Sequence, residues 1–432
     1  MLHSPKAQPR VSARTLLPLP AARAAAIVVA LTALALKLTL AAHSIGSVDV
    51  QYFHKFSNAI LRVGPVRIYG TPLPELPVYN HPPLTSWTLL LLGHIARHGV
   101  PFSTLIRIPP CLGDFASGVV VFEIMRRRQS PLVALGCSAA VSASPVLVTI
   151  SAYHGNTDGL CVMWALASAY LLADLRSPLA AGIAAGLAIG VKLPPVVALP
   201  LLLVGALRMG RPTAARFLLG LGATTAVLWG PAALTEPSGL LHKVLEYQGG
   251  GGRQWGLLQV GAWLDLPRPL LDYLHGSGHF LLVLLCMAFG VLLARRAPES
   301  LPAVCGLTLA ALLFLSTGTG VQYLAWAAPA LLAVGLWPGL WYNTLGGALA
   351  VMLFTRWSGG FPWYHARASR WTDAEVFLGV LCWTVLGIAI AYGAWTVWTG
   401  TVPMKATDKS VDDESILSPA EESPVTSGLA AR

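Results

Sequence analysis

Apolar runs of roughly 17–25 residues recur along most of this chain, the length an α-helix needs to cross a bilayer. A β-barrel would instead alternate polar and apolar residues in segments of about ten, and no such alternation is visible. Of the 432 residues, 55% are hydrophobic and only 11% charged, with a mean hydropathy of +0.64, well outside the range of ordinary soluble domains. The expected fold class is an all-α polytopic membrane protein.

The net charge of +10 does not form a patch wide enough for a nucleic-acid groove. The basic residues cluster in short loops such as Arg126-Arg127-Arg128, Arg208 to Arg216 and Arg295-Arg296, which suits the cytoplasmic bias of Lys and Arg. No nucleic-acid partner is expected. The six cysteines (111, 137, 161, 286, 305, 382) lie in apolar stretches without CxxC spacing and read as buried small hydrophobes.

Charge also sets the topology. Residues 1–20 are basic and Pro-rich and read as a cytoplasmic tail before a first span at 21–44. Residues 45–106 then form an outer loop. If 84–98 crossed the membrane, Arg126-Arg127-Arg128 would fall outside, so that stretch is predicted to be a membrane-parallel helix. Spans near 107–125, 131–151, 159–174, 178–191, 194–207, 216–234, 277–294, 301–316, 322–337, 341–356 and 375–398 complete a total of about twelve. Further outer loops fall at 152–158, 235–275 and 357–374, within a membrane domain of 21–400. Both termini are then cytoplasmic, and the acidic, Ser-rich tail 401–432 reads as disordered. All histidines except His3 fall on or near the outer face in this topology.

Two polar segments stand out at helix–water boundaries: Ser47-Val48-Asp49-Val50-Gln51-Tyr52 and His154-Gly155-Asn156-Thr157-Asp158-Gly159. Asp49 could be a solvated loop acid, but Gln51, Tyr52 and His54 lie beside it, and Tyr79, Asn80 and His81 follow in the same loop. Pro82 and Pro83 suit a helix's first turn, which would fix that later cluster in place. Asp158 could be only a helix-terminal acid interacting with the macrodipole. His154 and Asn156 supply polar groups that capping does not require. Lys192, before Pro194-Pro195, is either a snorkelling anchor or a phosphate ligand.

The loop around Gly249–Gly252 places Arg253 beside aromatic residues, and suits either a flexible connector or a segment that orders over a ligand. Gln322 and Tyr323 lie in a polar–aromatic step that could equally be an interfacial belt. Arg356 opens a last outer loop with three arginines and His365, fitted for lipid phosphates generally or for one phosphate specifically. Lys37 and Asp114 both fall inside spans, where a charge costs about 2.5–3.5 kcal/mol, so pairing or water access is expected for each, a Lys37–Asp114 pair being one such arrangement.

This order of features resembles the GT-C glycosyltransferases, membrane enzymes that use polyprenol-linked sugars. Asp49 matches the acidic residue near the start of their first outer loop. Asn80-His81-Pro82-Pro83-Leu84 is similar to the start of a surface helix in that loop, and Arg107 to Glu123 to the next span. Ala143-Ser144-Pro145 resembles a small-residue–Pro element, and His154 to Gly159 a polar motif of polyprenol-phosphate-mannose and -glucose users. Gly190 to Pro195 and Val321 to Trp326 also resemble segments of those enzymes. The likeness covers about residues 21–400. The first loop carries Asp49 alone, not the Asp-Glu pair of the protein O-mannosyltransferase and aminoarabinose-transferase branches, which leaves the acceptor open.

The resemblance implies transfer of a hexose, mannose favoured, from a polyprenyl-phosphate donor to a hydroxyl of a lipid-linked or glycan acceptor on the outer face, with inversion. Asp49 is the expected general base. Lys192, Arg253 and Arg356 are candidate phosphate ligands. Tyr79, Asn80, His81, His154, Asn156, Asp158, Gln322 and Tyr323 are candidate sugar-binding residues. No cofactor is expected, and a divalent cation on Asp49, His81, His154 and Asp158 is the less favoured alternative, since no local spacing fixes a site. A lipid-linked sugar flippase is the competing class, disfavoured by the lack of an internal repeat and by polar residues gathered on one face.

Overall fold

The structure is a computed structural model that describes residues 17–247, 254–318 and 320–400. The tail 401–432 and all but the end of the tail 1–20 lie outside the described residues, as do Gly249–Gly252 and Arg253.

Prolines start the helices. Pro20, Pro83, Pro131, Pro178 and Pro212 each occupy the first turn of a helix, where the missing N–H would have no intrahelical partner anyway. Among the described residues seven helices are long and apolar enough to cross a membrane: Leu19–Ala42, Phe102–Arg126, Pro131–His154, Arg211–Thr235, Gly278–Arg296, Pro298–Leu315 and Asp373–Thr399. The apolar helices Pro83–Ala96, Asp158–Ala173, Pro178–Val191, Pro194–Arg208 and Val321–Leu332 are shorter. The chain is a multi-pass helical membrane protein.

The burial pattern separates a protein interior from a lipid face. In Leu19–Ala42 the buried residues are Ala22, Ala26, Ala30, Lys37 and Ala41, a narrow stripe at helical spacing. Val28 and Leu36 on the same helix are exposed, as apolar residues facing hydrocarbon would be. The centre is formed by Asp158–Ala173, Pro178–Val191 and Leu301–Leu315, whose residues are largely buried. Pro178–Val191 packs on Arg211–Thr235 through glycines. A Cβ on Gly182 would lie 2.1 Å from the Phe217 carbonyl oxygen, so only glycine admits this approach.

Two expectations need correction. The span expected at 322–337 is not one continuous helix. A 3₁₀ turn at Val321–Trp326 leads into Ala328–Leu332, and a new helix, Leu336–Trp357, takes in the span expected at 341–356. The loop 45–106 holds two substantial helices instead of one. Besides Pro83–Ala96 there is Val48–Val63, whose buried residues Val50, Phe53, Phe56, Ser57 and Ile60 recur at helical spacing. They form a second core with Tyr69, Tyr79, Leu89 and Phe102.

Of pairing and water access, the structure shows pairing: Lys37 and Asp114 meet within the bundle. Their side chains meet at 2.7 Å, both nearly inaccessible, and Ser151 donates to the other Asp114 oxygen at 3.1 Å. The contact joins the first helix, Phe102–Arg126 and the segment that leads to His154. All six cysteines are buried and free.

Candidate active site

Asp49 lies in the first turn of Val48–Val63, where the helix N-terminus favours a negative charge. Ser47 caps this helix: its hydroxyl accepts from the Asp49 N–H at 3.2 Å and donates to the His154 carbonyl at 3.1 Å. One side chain thus ties the two polar segments together. Gly46 and Ser47 also pair in parallel with His365 and Ala366, bringing the loop 357–374 to the same place. The Asp49 carboxylate is 41% exposed and sits 3.4 Å from Nε2 of the buried His154 ring.

His154 ends a π-helical turn, Val148–His154, a geometry frequent at functional sites. Gly155 follows in the left-handed region at φ +80°, and a Cβ there would clash with Val50 and Arg107. Arg107 fixes this junction. Fully buried, it donates to the Ser103 carbonyl at 2.6 Å, to the Ser44 hydroxyl and carbonyl at 2.8 and 2.5 Å, and to the Ala152 carbonyl at 3.3 Å. Four oxygens satisfy this guanidinium, and among the described residues no carboxylate pairs with it. Sequence reasoning gave Arg107 no role, although an arginine between Ile106 and Ile108 at the start of an apolar helix was the available signal.

A second charged group lies in the Gly190-Val191-Lys192 corner. The Pro178–Val191 helix ends at Lys192, which is extended, and Pro194 and Pro195 supply no N–H to continue it. The Lys192 ammonium donates to Asn156 Oδ1 at 2.8 Å and Asp158 Oδ2 at 2.7 Å. The other Asp158 oxygen accepts from the Trp326 indole at 2.6 Å. Asp158 is fully buried, so it acts here by holding Lys192, whose side chain remains 14% exposed.

Lys192 faces a cavity of about 290 Å³. Asn80, His81, Lys192, Tyr247, Tyr323 and Trp326 line it, together with Leu193, Pro194, Val196, Val197, Phe280, Leu282, Val283, Leu312 and Leu315. Tyr323 stacks on Trp326 with ring centroids 4.5 Å apart. Asn80 hydrogen-bonds the Tyr247 phenol, which burial and the charge of Asp49 push above its ordinary value.

The candidates therefore divide. Asp49 and His154 form one contact; Asn156, Asp158 and Lys192 form another; Asn80, His81 and Tyr323 join Lys192 around the cavity. Tyr79 is instead a core residue. Its ring packs on Phe56 and Tyr69 and its hydroxyl meets Ser86 at 2.8 Å, because the apolar face of Val48–Val63 needs a cover. Gln322 folds back over Gly320 and is absent from the cavity wall. Arg356 is bound by both Glu375 oxygens, Ser369 and the Arg370 carbonyl, so it braces the loop 357–374 instead of facing the cavity. Arg253 lies outside the described residues. Tyr247 and Trp326 were not singled out as site residues in the sequence. Among the described residues no group of three or more His, Cys, Asp or Glu side chains is placed to hold a metal ion, and Asp158 is already engaged by Lys192 and Trp326.

Burial, with the Lys192 charge adding to it, pushes the His81 imidazole down to about 3. The unfolded chain therefore binds a proton between about pH 6.5 and 3 that the folded protein does not, and stability falls with acidification across that window. His81→Gln is expected to remove up to about 1.4 kcal/mol per pH unit from that slope. Thermal midpoints measured from pH 7 to 4 check this, and parallel curves for the two proteins would contradict it.

Residues 80–231 match the family model of dolichyl-phosphate-mannose-protein mannosyltransferase, a segment that contains Asn80, His81, His154, Asp158 and Lys192. No curated protein matches the chain. Among solved structures it is similar to the Archaeoglobus fulgidus oligosaccharyltransferase tethered with an acceptor peptide containing the NVT sequon. Identity is 13% and the TM-score 0.37, covering 86% of this chain and 55% of that one. The same enzyme in complex with Zn and sulfate gives 16% identity and a TM-score of 0.35, covering 87% and 53%. The chain thus spans about half the length of these structures.

Proposed function

We propose that this protein transfers a hexose, with mannose favoured, from a polyprenyl-phosphate carrier to a hydroxyl of a lipid-linked or glycan acceptor on the extracytoplasmic face. The observation that carries this reading is the pairing of Lys192 with an aliphatic wall in one cavity. A lipid phosphate needs a cation for its head and apolar surface for its chain. Lys192, held at 2.7–2.8 Å by Asp158 and Asn156, supplies the first. Leu193, Val197, Leu282 and Leu312 are part of the second.

In the proposed reaction an acceptor hydroxyl attacks the anomeric carbon in line with the phosphate. Asp49 accepts the hydroxyl proton as the new C–O bond forms. The bond between the anomeric carbon and the phosphate oxygen breaks, and polyprenyl phosphate leaves as an anion stabilised by Lys192. A single displacement inverts the anomeric centre, and the oxocarbenium-like transition state needs no general acid because the leaving group is already a phosphate. Asp49 is suited to the base role because its carboxylate is 41% exposed and lies 3.4 Å from His154 Nε2.

Lys192→Met is expected to weaken binding of undecaprenyl-phosphate-mannose by about 10–100-fold, the value of a charge-assisted contact to phosphate. Because that change alone leaves Asp158 buried without its cation, Lys192→Met/Asp158→Asn serves as the partner variant. Both should lose affinity equally in a lipid-binding titration. Wild-type affinity in the double variant would overturn the phosphate assignment.

A further inference from the structure

The cavity wall is divided chemically. Lys192 contacts Asp158, Asp158 accepts from Trp326, Trp326 stacks on Tyr323, and Asn80 hydrogen-bonds Tyr247. Tyr323 and Tyr247 line the same cavity. These contacts trace a polar, aromatic-rich zone running from the cation to the neighbourhood of the carboxylate. The wall from Gly278–Arg296, Leu301–Leu315 and the Leu193–Val197 segment is mostly aliphatic, with His279 its polar member and Ser316 and Thr317 beside it.

An aliphatic wall suits a prenyl chain but offers a sugar nothing. A hexose presents C–H faces, which pack on aromatic rings, and hydroxyl edges, which need hydrogen-bond partners. Tyr247 offers both. Its ring lines the cavity, its side chain is 42% exposed, and its hydroxyl is already oriented by Asn80. Asp158 and the Trp326 indole are committed to one another, so among these aromatics Tyr247 combines an accessible ring with proximity to Asp49.

We propose that Tyr247, oriented by Asn80, contacts the transferred sugar and holds it between the phosphate position at Lys192 and the base Asp49. This rests on the lipid-phosphate-sugar reading of the cavity and adds the residue that distinguishes a sugar-bearing carrier from a bare one. Before transfer the carrier bears a sugar; afterwards it is polyprenyl phosphate. A contact made only to the sugar favours the donor over the spent carrier and leaves the lipid and phosphate contacts unchanged.

The test is a titration of the full chain in nanodiscs with undecaprenyl-phosphate-mannose and, separately, undecaprenyl phosphate. Wild type should prefer the mannose-bearing lipid. Tyr247→Ala should lose about tenfold in affinity for that lipid and keep its affinity for the bare carrier, which also shows that the variant is folded. Tyr247→Phe keeps the ring and should stay within about threefold of wild type. Equal loss for both lipids, or no loss for either, overturns the role given to Tyr247. If wild type binds neither lipid, the carrier reading itself fails and takes this role with it.

Discussion

Asp49→Asn is expected to reduce sugar transfer by about 10²–10⁴-fold, the contribution of a positioned general base, while leaving donor affinity near wild type. Asparagine matches aspartate in shape and is tolerated near helix starts, so the first turn of Val48–Val63 and the Ser47 cap should persist. On the proposed mechanism, what is lost is the anion that takes the acceptor's proton. The effect should fall on kcat and not on donor KM, because Lys192 and the aliphatic wall are untouched. Single-turnover transfer with bound, labelled donor measures it directly. Turnover by Asp49→Asn close to wild type would remove Asp49 from the base role, with His154, 3.4 Å away, as the next group to examine.

The second large effect concerns stability. Lys37→Met leaves the Asp114 carboxylate inside the bundle with Ser151 as its only polar partner among the described contacts. Breaking a buried ion pair from one side typically costs about 3–5 kcal/mol. That is a large fraction of the roughly 5–15 kcal/mol by which proteins are stable. The double variant Lys37→Met/Asp114→Leu removes both charges and should recover most of the loss, because a helix in hydrocarbon favours apolar residues at both positions. The six buried free cysteines provide the readout: a thiol-reactive dye labels them only as the bundle opens. Labelling midpoints should fall for Lys37→Met and return toward wild type in the double variant. Equal midpoints for wild type and Lys37→Met would show that the pair contributes nothing.

Much of the helical architecture was legible because its signals are local. Apolar length marked the spans, and prolines such as Pro83, Pro131 and Pro178 marked their starts. That Lys37 and Asp114 need partners or water was legible because charges in apolar helices are costly, but not that they would partner each other. The helix Val48–Val63 was missed, although Val50, Phe53, Phe56, Ser57 and Ile60 carry a readable period. The polar residues Asp49, Gln51 and His54 interleave with that apolar stripe and mask it in the sequence.

The residues of the candidate site stood out in the sequence, but their partners did not. Asp158 and Lys192 are 34 positions apart, and a helix Asp158–Ala173 followed by Pro178–Val191 returns the chain beside its start. Antiparallel neighbours joined by a short turn make that contact foreseeable. Trp326 reaches Asp158 across 168 positions, and no local pattern encodes such a contact. Tyr79 and Arg356 show the converse limit. A tyrosine and an arginine in polar loops look available, but the fold spends Tyr79 on the second core and Arg356 on Glu375.

The most direct test of lipid-linked sugar transfer uses the full chain in proteoliposomes, with radiolabelled undecaprenyl-phosphate-mannose and a crude membrane glycolipid pool as acceptor. Label should appear in a new product with wild type and not with Asp49→Asn. Absence of transfer from mannose, glucose and arabinose donors, with labelled donor crossing the bilayer instead, would contradict the transferase and identify a carrier flippase.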